Sequence, residues 1–286
     1  MGRPPDPART PEERKGEREQ TFWVRYMHEQ GSLTLGALRA YRRDAGAFTN
    51  PLTAAEQEVK FFNEYFKIKY PYEKLDIIGI PDFAAGAMEN AGAITFRERM
   101  LLADEKTASV GIRKSVAGVI AHELAHQWFG DLVTMKWWNG IWLNEAFATF
   151  MEIACCDAYR PDWKRWTTFS LERSAAFEVD ALASTRSVEY PVEAPADCDG
   201  MFDVLTYQKG GALLRMLQQY LGADRFREGV RHYLALHSFG NTETSDLWDA
   251  LEHTSGEPVR SASARHWSSI AVRSAPSAGR TRRAWH

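Results

Sequence analysis

Two histidines separated by three residues, His122 and His126 in His122-Glu123-Leu124-Ala125-His126, constrain this chain more than any other feature. The segment Ile112 to Phe129 reads as a helix ending at Gly130, with Ile120, Leu124 and Trp128 repeating every four residues. Residues four apart on a helix share a face and lie about 6 Å apart along the axis. Both imidazoles can therefore converge on a single ion, as zinc requires. Glu123 lies about 100° round the helix from His122, where it can reach an open coordination position. After eighteen intervening residues comes Glu145, near the start of a second apolar-periodic helix in Trp142-Leu143-Asn144-Glu145-Ala146-Phe147-Ala148. Antiparallel packing of the two helices would supply that carboxylate as a third ligand. Two histidines and one carboxylate leave the fourth position to water, the arrangement of catalytic rather than structural zinc.

Two further segments stand out. Gly86-Ala87-Met88-Glu89-Asn90 lies between Ile77-Ile78-Gly79-Ile80 and Ala93-Ile94-Thr95-Phe96, and reads as strand, Gly-rich turn, strand. Thr206-Tyr207-Gln208-Lys209-Gly210-Gly211 leads into the apolar helix Ala212-Leu213-Leu214-Arg215-Met216-Leu217.

With these motifs together, the chain resembles the zinc aminopeptidases of the aminopeptidase N type, within the thermolysin-like gluzincins. The resemblance runs from about Ala54 to Pro258 and includes Val188-Glu189-Tyr190-Pro191-Val192. It implies an α+β fold, a thermolysin-like zinc peptidase domain with a small β portion followed by a mostly helical part. It implies one zinc per chain, held by His122, His126 and Glu145. Glu123 would be the general base, passing a proton from water to the departing amine. Gly86, Ala87, Met88, Glu89 and Asn90 would bind substrate, with Glu89 on the free α-ammonium, and Tyr207 would hydrogen-bond the oxyanion. The implied substrates are peptides with free N-termini. Asp131 stands where many relatives carry Asn. It either accepts the second N–H of a zinc-bound imidazole or is solvated beyond the helix end.

Composition narrows the alternatives. The net charge of −3 offers no electrostatic case for nucleic acid. No run of 18 apolar residues exists, so no membrane span is expected. Three cysteines, two of them adjacent at Cys155 and Cys156, suggest reduced thiols and a cytoplasmic setting.

The organisation expected is an unmatched, partly disordered segment over residues 1–52, a catalytic domain over 53–258 and a disordered Ser/Ala/Arg-rich tail over 259–286. The first helix is expected from Ala54 to Phe66, with Thr53 as its N-cap. Relatives begin with a large β-rich domain that covers the active site and adds a second acid to the amino-terminus anchor. The departure of both ends from that pattern suggests truncation or a reading-frame change. Besides an active aminopeptidase, the sequence therefore admits a catalytically impaired zinc-binding fragment or pseudoenzyme lacking the N-terminal β domain. It also admits a non-peptidase or endopeptidase use of the same site, although the Glu89 segment favours action on N-termini.

Overall fold

A computed structural model describes residues 26–29, 32–35 and 49–262 apart from 81 and 105. The first twenty residues lie outside the described residues, as does the expected disordered tail except for its first four residues, Val259–Ala262, which are helical. The chain divides into two compact units, one formed by residues up to Leu132 with Met151–Lys164, the other by Val133–Phe150 with residues from Arg165 onward. The secondary structure is α+β, mostly helical with small sheets. No helix among the described residues is long and apolar enough to cross a membrane.

The first unit holds an antiparallel pair, β1 (Tyr26–Glu29) and β2 (Ser32–Leu35), and then helix α1 (Thr49–Phe66). This helix starts four residues before the expected cap, so Thr53 lies inside it. Pro51 falls in the first turn, where a missing N–H costs nothing because that donor has no helical acceptor. Strands β3 (Asp76–Ile80), β4 (Ala87–Met88) and β5 (Ala93–Arg97) form one sheet in the order β3-β5-β4. The pair β3 and β5 is parallel, with Ile77 opposite Ile94, and β4 runs antiparallel to β5, with Ala87 opposite Phe96. The segment expected as a turn thus contains an edge strand of its own.

A short helix α2 (Glu98–Leu101) leads to α3 (Val110–His126), capped by the Ser109 hydroxyl, which accepts from the Ile112 N–H at 3.2 Å. The sequence carries its apolar period on to Phe129, yet the helix ends at His126. The Gln127 and Trp128 N–H groups close three-residue turns onto Leu124 and Ala125, and Gly130 takes φ +120°. Trp128 and Phe129 leave the helix to fill an aromatic cluster with Phe62 and Phe66 of α1, ring centroids 5.3–5.7 Å apart. The Trp128 indole donates to the Ile68 carbonyl at 3.2 Å.

The second unit contains β6 (Val133–Met135), paired in parallel with β7 (Gly240–Thr242). Gly240 and Asn241, residue types that favour turns, are therefore in a strand, and β structure is not confined to the N-terminal part. Helix α4 (Trp142–Tyr159) is continuous through the boundary between the units. The remaining helices are α5 (Arg165–Asp180), α6 (Pro195–Cys198), α7 (Gly210–Leu221), α8 (Ala223–His237), α9 (Thr244–Ser255) and α10 (Val259–Ala262). In α8 the residues Phe226, Val230, Tyr233 and Leu234 are buried at helical spacing. The core rings meet in pairs: Trp142 with Trp248, Phe147 with Tyr233 and Phe150 with Phe226.

Helices α8 and α9 touch through Gly229. A Cβ added there would stand 2.6 Å from Leu251 Cδ2 and 3.1 Å from its Cα. The second contact is backbone and cannot rotate away. Gly229→Ala should therefore cost roughly 1–3 kcal/mol of stability, despite the better helix propensity of Ala. Urea unfolding beside Gly200→Ala, where a Cβ meets nothing within 4 Å, checks this.

Candidate active site

Helix α3 is buried on nearly all sides over its second half, through Val116, Ala117, Ile120, Ala121, Leu124 and Ala125. His122, Glu123 and His126 are polar exceptions in that apolar stretch, and buried polar groups are costly unless their bonding is met. The two imidazole rings stand 4.8 Å apart, edge to face. Nδ1 of His126 lies 3.0 Å from the Phe129 carbonyl. A carbonyl only accepts, so Nδ1 carries the proton and Nε2 keeps its lone pair. Nδ1 of His122 lies 3.7 Å from Oε2 of Glu152, within ion-pair reach though longer than a hydrogen bond. Gly118, one turn before His122, makes room for that carboxylate, since a Cβ there would come within 2.7 Å of Glu152 Oε1. Oxygen acceptors thus stand beside Nδ1 of each ring, the usual outer arrangement of metal-binding histidines.

Behind Glu152 lies Glu58, fully buried on α1. Burial, and then the neighbouring Glu152, holds its carboxyl well above the usual range. Burial first, with Glu58, Cys156 and Glu152 behind it, likewise pushes the Cys155 thiol up, leaving it a protonated, inert hydrophobe.

Glu89 follows β4, and the turn brings it to α3. One ligand atom from each of Glu89, Glu123 and His126 falls within 4.8 Å of the others. Asp131 belongs to the same neighbourhood. Burial, then Glu89, and more weakly Glu123, push its carboxyl up to about 7 against an opposing pull from His126. Three carboxyl groups crowding one imidazole suit a divalent cation, and the Nε2 lone pair of His126 adds a nitrogen donor of the kind zinc takes. Nδ1 of His126 faces the Phe129 carbonyl, and Asp131 acts on that ring through charge.

Glu145 and Tyr207 belong to the second unit. Glu145 sits buried in the first turn of α4, seven residues before Glu152. Two helical turns separate them, so both project from one face of that helix. Tyr207 is half-buried in a single π-helical turn, Leu205–Lys209, that runs directly into α7. Such turns cluster at functional sites. Asp203 Oδ1 accepts from the Leu205 and Thr206 N–H groups and from Arg186, whose guanidinium also bonds the Thr206 hydroxyl. At the other end, the Lys209 ammonium meets Asp180 at 2.6 Å, both buried, and donates to the Arg186 carbonyl. Gly210 lets this helix close on α4, because a Cβ would stand 2.5 Å from that of Ala146, the neighbour of Glu145.

Sequence reading missed Glu152, Gln127, Asp180 and Arg186. Glu152 had a signal, an acid two turns after Glu145 in a largely apolar helix. The other three act through partners distant in sequence, and nothing local marks them.

Two imidazoles one turn apart on a buried helix suit a metallopeptidase, and comparison with known proteins shows that family. Residues 51–267 match the Peptidase family M1 domain. The chain belongs to peptidase family M1. It is 48% identical over 209 residues to Aminopeptidase M1-A of Oryza sativa subsp. japonica, covering 73% of this chain and 24% of that one. To Aminopeptidase 2 of Candida albicans it is 50% identical over 206 residues, covering 72% and 22%. Tricorn protease-interacting factor F2 of Thermoplasma volcanium is 47% identical over 210 residues, covering 73% and 27%. The chain thus spans about a quarter of the length of these curated relatives.

The raised Asp131 carboxyl has a pH signature in zinc-free protein. Below the ordinary carboxyl range both folded and unfolded chains hold the proton, and the group is neutral to stability. As pH rises toward 7 the unfolded chain ionises freely, whereas the folded chain must keep its proton or ionise beside Glu89 and Glu123. Stability is therefore lost through this window and levels off above about 7. Asp131→Asn should match wild type near pH 4 and exceed it by a margin on the order of 2–4 kcal/mol at pH 8. Denaturant titrations of both proteins at the two pH values read the margin. A margin that does not grow with pH would refute the assignment.

Proposed function

We propose that this chain carries the catalytic domain, thermolysin-like in its fold, of a zinc aminopeptidase that hydrolyses the N-terminal bond of peptides. The observation that carries the reading is the pair of imidazoles on one face of α3, each with an oxygen atom within 3.7 Å of its Nδ1. His122, His126 and Glu145 hold one zinc ion per chain in this proposal. Zinc, when bound, supplies Lewis acidity that polarises the scissile carbonyl and acidifies water.

The chain's own residues do the rest. Glu123 takes a proton from water and delivers it to the leaving amine, work worth roughly 10² to 10⁴-fold for a placed carboxylate. Glu89 holds the substrate ammonium, which limits action to free N-termini. Its backbone neighbours Gly86, Ala87, Met88 and Asn90 receive the extended substrate, and the outer edge of β4 offers main-chain groups for that pairing. Tyr207 donates to the oxyanion, and the capped π-turn keeps its ring in place. A cytoplasmic setting belongs to the proposal as well, in keeping with the free thiols of Cys155, Cys156 and Cys198.

Metal and chemistry separate experimentally. Elemental analysis should find about one zinc per chain, and His122→Ala with His126→Ala should abolish it. Glu123→Gln should keep the metal while leucyl-p-nitroanilide turnover disappears. Stoichiometric zinc in the double histidine variant would sink the ligand assignment. Zinc bound without turnover in the unaltered chain would instead leave a zinc-binding, non-hydrolytic protein.

Tyr207→Phe tests the oxyanion role. It should lower kcat roughly 10² to 10³-fold with KM little changed. Steady-state kinetics decide, and a rise in KM alone would make Tyr207 a simple binding residue.

A further inference from the structure

Gln127 follows His126 and is completely buried. Its side chain reaches out of the last turn of α3 to three groups. Oε1 accepts from the Gly92 N–H at 3.0 Å, and Nε2 donates to the Glu89 carbonyl at 2.8 Å. The Tyr70 hydroxyl lies 3.2 Å from Oε1 and 3.1 Å from the Lys74 carbonyl, two acceptors that share its single proton. The amide can face only one way. Turned over, Nε2 would meet the Gly92 donor and Oε1 would meet the Glu89 carbonyl, two like pairs in a dry site.

One side chain therefore grips both ends of the turn from Glu89 to Gly92. Gly92 is held from its other side too. Its carbonyl accepts from the Asp76 N–H at 3.0 Å and from the Lys74 ammonium at 2.9 Å. It sits at φ +68°, and a Cβ would stand 3.0 Å from the Lys74 carbonyl, so glycine is required there. The turn thus has a fixed backbone, referred through Gln127 to the helix that bears His122, Glu123 and His126.

We infer that Gln127 is a positioning residue that sets the Glu89 carboxylate, and with it the substrate ammonium, at its distance from the reacting carbonyl. The inference rests on the role proposed above for Glu89. Gln127 itself touches neither substrate nor metal. It acts by locking two backbone groups, and a misplacement of about 1 Å at such an anchor is enough to cost roughly a hundredfold.

The test uses the whole zinc-loaded chain and Gln127→Met, which keeps the volume and removes all three contacts. Calorimetry measures binding of leucine hydroxamate and of N-acetyl-leucine hydroxamate, and hydrogen exchange follows the Gly92 amide without ligand. Wild type should favour the free amine. Gln127→Met should keep its zinc and its affinity for the acetylated probe, while the free-amine preference falls by roughly tenfold to a hundredfold and Gly92 exchanges faster. If the preference and the Gly92 protection both survive, the inference is overturned. Loss of zinc with equal weakening of both probes overturns it also, since Gln127 would then support only the metal helix. A wild type without free-amine preference defeats the Glu89 assignment instead, and Gly92 exchange alone then judges the clamp. Should Gln127→Met not fold, Gln127→Glu keeps the acceptor for Gly92 and Tyr70 but loses the amide donor to Glu89, and the same two readings decide.

Discussion

The rest of the site depends on one constraint, the burial of hydrogen-bonding side chains in the apolar second half of α3. Water cannot serve groups in such a place, so neighbouring elements must. The Phe129 carbonyl serves His126, and the turn beyond β4 serves Gln127. Glu152 on α4 stands opposite His122, with Gly118 hollowed to admit it. Meeting the polar needs of one helix therefore fixes the loop and the carboxylates around it. Stability and the placement of the imidazoles draw here on the same contacts. A defect in any supporting element reaches the imidazoles without touching them.

Much of this was legible in the sequence, for identifiable reasons. The helix α3 and the shared face of its histidines follow from local spacing, which a helix converts directly into geometry. Strands β3 and β5 follow from short β-branched runs, Ile77-Ile78 and Ile94-Thr95, with glycine nearby. Boundaries failed where tertiary packing overrode periodicity. Trp128 continues the apolar repeat of α3, but its ring lies among Phe62, Phe66 and Tyr70 and its backbone is drawn out of the helix. Strand β7 was hidden because Gly240 and Asn241 favour turns, and only pairing with β6, supported by the Tyr233–Thr242 hydroxyl contact at 2.7 Å, makes them extended.

The π-turn around Tyr207 shows the same limit from another side. Its sequence reads as a plain start to an amphipathic helix, and one inserted residue per turn leaves no compositional trace. What holds it is a set of ionic and capping contacts from Asp180, Arg186 and Asp203. Removing either partner of the buried Lys209–Asp180 pair would strand a charge in the interior, typically a loss of about 3–5 kcal/mol. A turn of higher intrinsic energy persists because its surroundings over-determine it.

The two-residue strand β4 carries one more consequence. An open sheet edge is a template for any extended chain, including other copies of the same protein. Longer apolar edges invite stacking into aggregates, and proteins commonly blunt them by brevity or charge. Here the edge stops at Ala87–Met88 and the next residue is the charged Glu89. An edge that short is a poor seed for self-association, while the acid beside it favours a chain that arrives with a positive end. On the role proposed for Glu89, the short edge that makes a poor template for self-pairing would also select the kind of strand admitted.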